Sequence, residues 1–330
     1  MYLLVCFNVL LDLLMGCSSG GAAVEPLHPQ TSDQAARMVH FRTLDWGMPS
    51  LRKVLVHLDF VLEPKGSVVA SSVTYAGYVG VLTGVRTDLS LSLNFRATHN
   101  SAERFAHVKY YWHHAMVLLG LRRSISSILR GYLVPRTSDG TTASSSLRLG
   151  RLPTYQEIVA EVSCRQQPLL TTACYLCFSS GSETTVIEKD LSTAVSASSA
   201  EFIVVTNADD STYSDDSTSN SDSQKAKGKS KVLDSALEEL IDEANDRKAC
   251  AEQNYRKLRL RISRQGRDSS DSAPRSLPTV EDIVNLVQRY PTTNESTHFA
   301  AVMDPQQGKI AWCRYWIEPV SERWIQKHGG

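Results

Sequence analysis

Cysteine is sparse in this chain and shows no pattern. Cys6, Cys17, Cys164, Cys174, Cys177, Cys250 and Cys313 are an odd seven in 330 residues, which excludes a small disulfide-stapled scaffold. An excess of one charge is lacking too. Lys plus Arg and Asp plus Glu number 35 each, so no global field points to nucleic acid or to an anionic surface. Long apolar runs are missing beyond the first fifteen residues, and nothing later reaches the length of a membrane span. No Lys or Arg precedes that first run, which removes the basic head of a secretory signal. Metal-ligand spacing is absent as well. Cys174–Tyr175–Leu176–Cys177 is a lone pair with no second pair and no nearby His, and structural zinc needs four ligands, so both cysteines are read as buried strand residues. No metal and no cofactor is assigned.

What is present suffices for a large core. At 42% apolar and 21% charged, the chain makes one large domain or two small ones. Its opening segment, FNVLLDLLMGCSSG at 7–20, runs an apolar stretch into Cys17 flanked by small residues. Leu14–Met15–Gly16–Cys17 looks like a lipoprotein cleavage box, but Asn8 and Asp12 interrupt the run at helical spacing. The expectation is a short buried helix over 1–16 leading to a processed Gly16–Cys17 bond.

Downstream, residues 18–24 and 36–43 read as two strands of a hairpin with a long polar loop, which brings Arg42 and Asp45 beside Cys17. Strands follow at 53–62, 67–75 and 89–95. Gly77, Gly80 and Gly84 mark close backbone approach to another element or to a substrate. Residues 102–133 read as helical and 137–149 as a surface loop. A helix opens at Thr154 with Glu157 completing a capping box. Strands are expected at 169–178, 183–188 and 201–206. The polar, low-complexity stretch at about 208–231 reads as a disordered insertion. Helices at 232–255 and 279–288, a loop at 266–278 and a hairpin of 297–303 with 309–316 complete the chain. Alternating strands with peripheral helices make an α+β fold of antiparallel sheets covered by helices.

Several segments in order resemble one family. Phe7–Asn8, Asp12–Leu13 and Cys17–Ser18–Ser19 are similar to the subunit junction of the acid ceramidase and N-acylethanolamine acid amidase family of N-terminal-nucleophile hydrolases. MVHFRTLDWG at 38–47, SVTYAGYVGVLTG at 72–84, LSLN at 91–94, VVTN at 204–207 and NDRK at 245–248 continue the likeness to about Trp316. The resemblance implies an αββα sandwich and a chain that cuts itself before a cysteine. It divides this chain into residues 1–16, a remnant of the small subunit, and 17–330, the catalytic part. It also implies a lysosomal, vacuolar or secretory setting, or a cytoplasmic one if Met1 is the true start.

A thiol attacks well only as thiolate, and the α-amine freed at a new N-terminus is a base on the same residue. By resemblance Cys17 is the nucleophile, Arg42 favours its anion and Asp45 holds the amine. Asn207 offers its amide to the oxyanion, and Arg247 braces the polar network. The family's glutamate after its central helix has no assigned equivalent here. The implied substrate is a lipid amide, ceramide or an N-acylethanolamine, met at a membrane surface and without nucleic acid. A non-catalytic lipid-binding relative is the alternative, and a lipoprotein anchored at Cys17 a third. The basic run RKLRLR at 256–261 invites a lipid-surface or nucleic-acid reading, and its alternation of Arg with aliphatic residues fits first a half-buried element with one wet face, with a membrane-surface role as the alternative.

Overall fold

The computed structural model describes residues 15–26, 36–96, 99, 105–135, 151–209, 231–268 and 275–328. Residues 1–14, the loop at 27–35, the segment 137–149 and most of the polar insertion lie outside the described residues.

The strands are β1 (Met15–Val24), β2 (Arg37–Trp46), β3 (Leu55–Val61), β4 (Val68–Tyr75), β5 (Thr83–Arg86) and β6 (Leu89–Phe95). They continue with β7 (Thr171–Ser179), β8 (Thr184–Leu191), β9 (Thr193–Ser199), β10 (Phe202–Val205), β11 (Thr297–Asp304) and β12 (Lys309–Tyr315). The helices are α1 (Ala106–Leu118), α2 (Ile125–Leu133), α3 (Tyr155–Ser163), α4 (Lys231–Asp268), α5 (Val280–Val287) and α6 (Glu322–His328). One sheet has five strands in the order β10-β1-β2-β11-β12, and the other is a seven-stranded meander from β3 to β9. Every pairing is antiparallel.

Side-chain alternation explains the layering. On β6, Leu89, Leu91 and Leu93 pack with Leu129, Leu133 and Ile158 of α2 and α3, while Ser90, Ser92 and Asn94 point the other way, toward the five-stranded sheet. On β2, Val39 and Phe41 pack with Ala251 and Tyr255 of α4 and Ile283 and Val287 of α5. His40 and Arg42 face the opposite sheet. Two sheets with helices on both outer faces make the α+β, αββα arrangement expected. The interface between the sheets is unusually polar, and the site lies there.

Several expectations change at their edges. Met15 and Gly16, expected at the end of a helix, are strand residues of β1 because they pair with Trp46 and Asp45. The helix over 102–133 is two helices. Gly120, at φ +72, ends the first in the left-handed region, and Ser124 caps the second by accepting from Ser127 N–H. The strand expected from 53 begins at Leu55, because residues 49–54 form a 3-10 turn whose buried Arg52 donates to the carbonyls of Thr297, Glu295 and Trp316. The helix expected to stop at 255 runs to Asp268, since Ala244, Ala251, Tyr255 and Ile262 recur on one buried face. Asp209, expected inside the disordered insertion, is fixed by Arg96 Nε and Nη2 at 2.6 and 2.7 Å and by Tyr175 Oη at 2.6 Å. The close approaches at Gly80 and Gly84 are to α2. A Cβ on Gly80 would lie 2.5 Å from Ser126 Oγ, and one on Gly84 2.3 Å from Leu133 Cδ1.

Candidate active site

The register of three strands builds the site. β2 pairs with β1 so that Arg42 lies opposite Ser19, Leu44 opposite Cys17 and Asp45 opposite Gly16. β10 flanks β1 on its other side with Val205 opposite Ser19, and the same register carried past the strand end sets Asn207 beside Cys17. α4 crosses the outer face of this sheet and supplies Arg247.

Around the sulfur, Arg42 Nη2 donates to Cys17 Sγ at 3.2 Å, and Arg42 Nη1 donates to Asn94 Oδ1 at 2.7 Å and Ser19 Oγ at 3.1 Å. Ser19 Oγ also donates to Asn94 Oδ1 at 2.7 Å, while Asn94 Nδ2 donates to the carbonyls of Val205 and Thr206 at 3.2 and 3.3 Å. Asn94 therefore ties one sheet to the other and fixes the guanidinium.

A second set of bonds holds the nitrogen. The Cys17 N–H donates to Asn207 Oδ1 at 2.6 Å, and Arg247 Nη2 donates to the same oxygen at 3.0 Å. Asn207 Nδ2 donates to the Phe95 carbonyl at 2.7 Å. Two donors on one side and a carbonyl on the other fix which way the amide points. One hydrogen of the amide nitrogen expected to face an oxyanion is thus given to Phe95, and the amide oxygen orients the Cys17 nitrogen. Asp45 receives Thr297 Oγ1 at 2.6 Å and Asn294 Nδ2 at 3.4 Å, with Arg247 Nε 4.0 Å from its Oδ2.

The whole arrangement is enclosed. Cys17 and Arg42 are 0% exposed, Asn207 1%, Asp45 2% and Arg247 4%. Burial pushes the Cys17 thiol above its ordinary range, and it outweighs the opposing pull of Arg42 and Arg247. Burial likewise raises Asp45 against the neighbouring Arg247, Thr297 and Asn294. The intact site holds a neutral thiol. A cleft of about 220 Å³, lined by Arg247, Asn294, Tyr290, Glu243, Asp246 and Glu295, opens on the Arg247 and Asn294 side.

All five residues singled out from sequence are brought together. Residues to which sequence reading gave no role at the site are Asn94, Ser19, Asn294 and Thr297, together with a Tyr75–His298 pair. Tyr75 Oη lies 2.8 Å from His298 Nδ1, and His298 Nε2 lies 3.0 Å from the Trp46 carbonyl, so Nε2 carries the proton and Nδ1 accepts from the phenol. A signal for Asn94 exists in the alternation Leu89, Ser90, Leu91, Ser92, Leu93, Asn94, which puts polar groups on the inner face. Cys174 and Cys177 are buried strand residues whose three-residue offset points them to opposite faces of β7.

Neither the family models nor the curated proteins give a match to this sequence. Among solved structures, the chain is similar to the Caenorhabditis elegans N-acylethanolamine-hydrolyzing acid amidase (NAAA) ortholog, at 22% identity and a TM-score of 0.55, over 91% of this chain and 100% of that one. The two share a fold.

Proposed function

We propose that the chain is an amidohydrolase that cleaves fatty-acyl amides, ceramide or an N-acylethanolamine, through Cys17 after the Gly16–Cys17 bond is cut. The observation that carries this is the convergence of Arg42, Asp45, Asn207 and Arg247 on the sulfur and nitrogen of one residue. The solved structure of similar fold is named as hydrolysing N-acylethanolamines, which agrees with this reading.

Self-cleavage begins with Cys17 Sγ attacking the Gly16 carbonyl carbon. The C–N bond breaks as a C–S bond forms, the nitrogen gains a proton, and water then hydrolyses the thioester to leave Gly16 as a carboxylate. The freed amine, held by Asn207 Oδ1, takes the thiol proton during attack on a substrate amide. The tetrahedral intermediate collapses, the protonated amine of the substrate leaves, and the acyl group stays on sulfur. Water deprotonated by the same amine releases the fatty acid. Arg42 stabilises the sulfur anion.

A lipid surface as the source of substrate is supported by α1. Val108, Tyr111 and Trp112, with Leu119 and Leu121 just beyond, are each at least 60% exposed, beside the cations Lys109 and Arg123.

A second reading, a non-catalytic lipid-binding relative, is favoured by the full burial of Cys17, whose thiol solvent does not reach. Mass spectrometry of the purified chain separates the two. The amidase reading expects a new N-terminus at Cys17 and loss of both cleavage and hydrolysis in Cys17→Ala. An intact Gly16–Cys17 bond in a folded, active protein contradicts it, and acyl-amide binding without turnover supports the second reading.

A further inference from the structure

We infer that the cleft between α4, α5 and α6 is a binding site for a phosphate-bearing anion, separate from the Cys17 site. The cleft holds about 380 Å³, and Lys257, Arg261, Arg289, Lys327, His328 and Asn254 line it. Its one carboxylate, Asp282, is already taken. It accepts from the Thr279 N–H and hydroxyl in a capping box and from the Arg275 guanidinium.

Among the described residues, the cations are set apart from their neighbours by having no ion pair. On α4 itself, Arg247 faces Asp45, Arg256 faces Glu252 at 3.7 Å and Arg259 faces Glu201 at 3.3 Å. Lys257 and Arg261 have no carboxylate partner among the described residues. They stand one turn apart on one helix face, where like charges repel each other and oppose helix formation. The ordinary explanation of unpaired cations, stabilisation of a helix C-terminus, suits Lys327 and His328 in the last turn of α6. It does not suit Lys257 and Arg261, which are eleven and seven residues short of the end of α4.

The donors are of two kinds, as phosphate recognition needs. Two guanidiniums present paired N–H groups and two ammoniums act as point charges. Asn254 is 92% buried. Its Oδ1 accepts from Arg289 Nη1 at 3.3 Å and its Nδ2 donates to Cys250 Sγ at 3.2 Å, so Arg289 is held toward the cleft. Arg247 lies ten residues before Lys257 on α4, about 15 Å along the helix, so the site is distinct from the one built on Cys17.

The test uses the full chain and two probes. Isothermal titration with inorganic phosphate asks about a free anion, and co-sedimentation with phosphatidylcholine vesicles, with and without phosphatidic acid, asks about a lipid headgroup. Binding to either probe that weakens about tenfold in Arg261→Gln, and again in Lys327→Gln on a different helix, supports the site. Arg256→Gln, which alters a neighbouring cation outside the cleft, is expected to leave binding unchanged. The inference is overturned if neither probe binds, or if Arg256→Gln weakens binding as much as the cleft variants.

Discussion

The tie between Asn94 and Arg42 is open to a direct energetic test. Arg42 is fully buried, and its short hydrogen bonds go to Asn94, Ser19 and Cys17 rather than to a carboxylate. Removing a neutral hydrogen-bond partner from a buried charged group costs about 1.5–3 kcal/mol. Asn94→Ala also frees the Val205 and Thr206 carbonyls and the Ser19 hydroxyl, at about 1 kcal/mol each for neutral hydrogen bonds. In an Arg42→Met background only the bonds to these carbonyls and to the Ser19 hydroxyl remain, so the same truncation should cost about 3 kcal/mol. The expected coupling is therefore about 2 kcal/mol, well above the 0.5 kcal/mol or less expected of independent sites. Urea unfolding of the four proteins measures it, each carrying Cys17→Ala so that no cleavage splits the population. Additivity within about 0.5 kcal/mol would refute the claim that Asn94 is the principal anchor of the guanidinium.

Three further outcomes follow from the same geometry. Asp45→Asn should reduce turnover at least about a hundredfold while the melting temperature stays within a few degrees, since the Thr297 hydroxyl still donates to the remaining side-chain oxygen; near-normal turnover would remove Asp45 from the chemistry. His40 is enclosed between Ser90 and Ser92, and burial pushes its pKa down to about 3. Below pH 6.5 the unfolded chain therefore binds the proton that the fold refuses. This contribution is complete above pH 6.5 and lost as pH falls, by about 2 kcal/mol at pH 5. Asp45, shifted upward, contributes with the opposite sign, so the comparison to make is wild type against His40→Gln, whose thermal melts should lose this part of the acid slope. Gly84→Ala drives a methyl against Leu133 and should cost about 1–3 kcal/mol, partly recovered by Leu133→Val; a neutral effect would contradict the packing of α2 on β5.

Much of the architecture was legible because its signals are local. The capping box of Thr154 and Glu157 forms as read, with Glu157 Oε2 accepting from Thr154 N–H at 2.8 Å and Thr154 Oγ1 from Glu157 N–H at 3.3 Å. β6 runs from Leu89 to Phe95, as its alternation announces. β9 escaped notice because Thr193–Ser199 is an edge strand of small residues with no apolar rhythm. The hairpin of β1 and β2 followed from pattern, and with it the nearness of Arg42 and Asp45 to Cys17. The gathering of Asn207 and Arg247 came from resemblance, since nothing local links positions 190 and 230 residues away. Asn94, Asn294 and Thr297 were missed for a related reason. A lone polar residue in a strand or turn acquires a role only when another part of the chain arrives beside it.

The sealed sulfur has a consequence for the reactivity of the thiol. A thiol without contact to solvent, and held protonated by its surroundings, is a poor target for peroxide, for alkylating reagents and for stray disulfides. The chain can pass through oxidising surroundings with Cys17 unspent. On the proposed reading, in which the Gly16–Cys17 bond is cut, the rate at which iodoacetamide reaches that residue reports the cut.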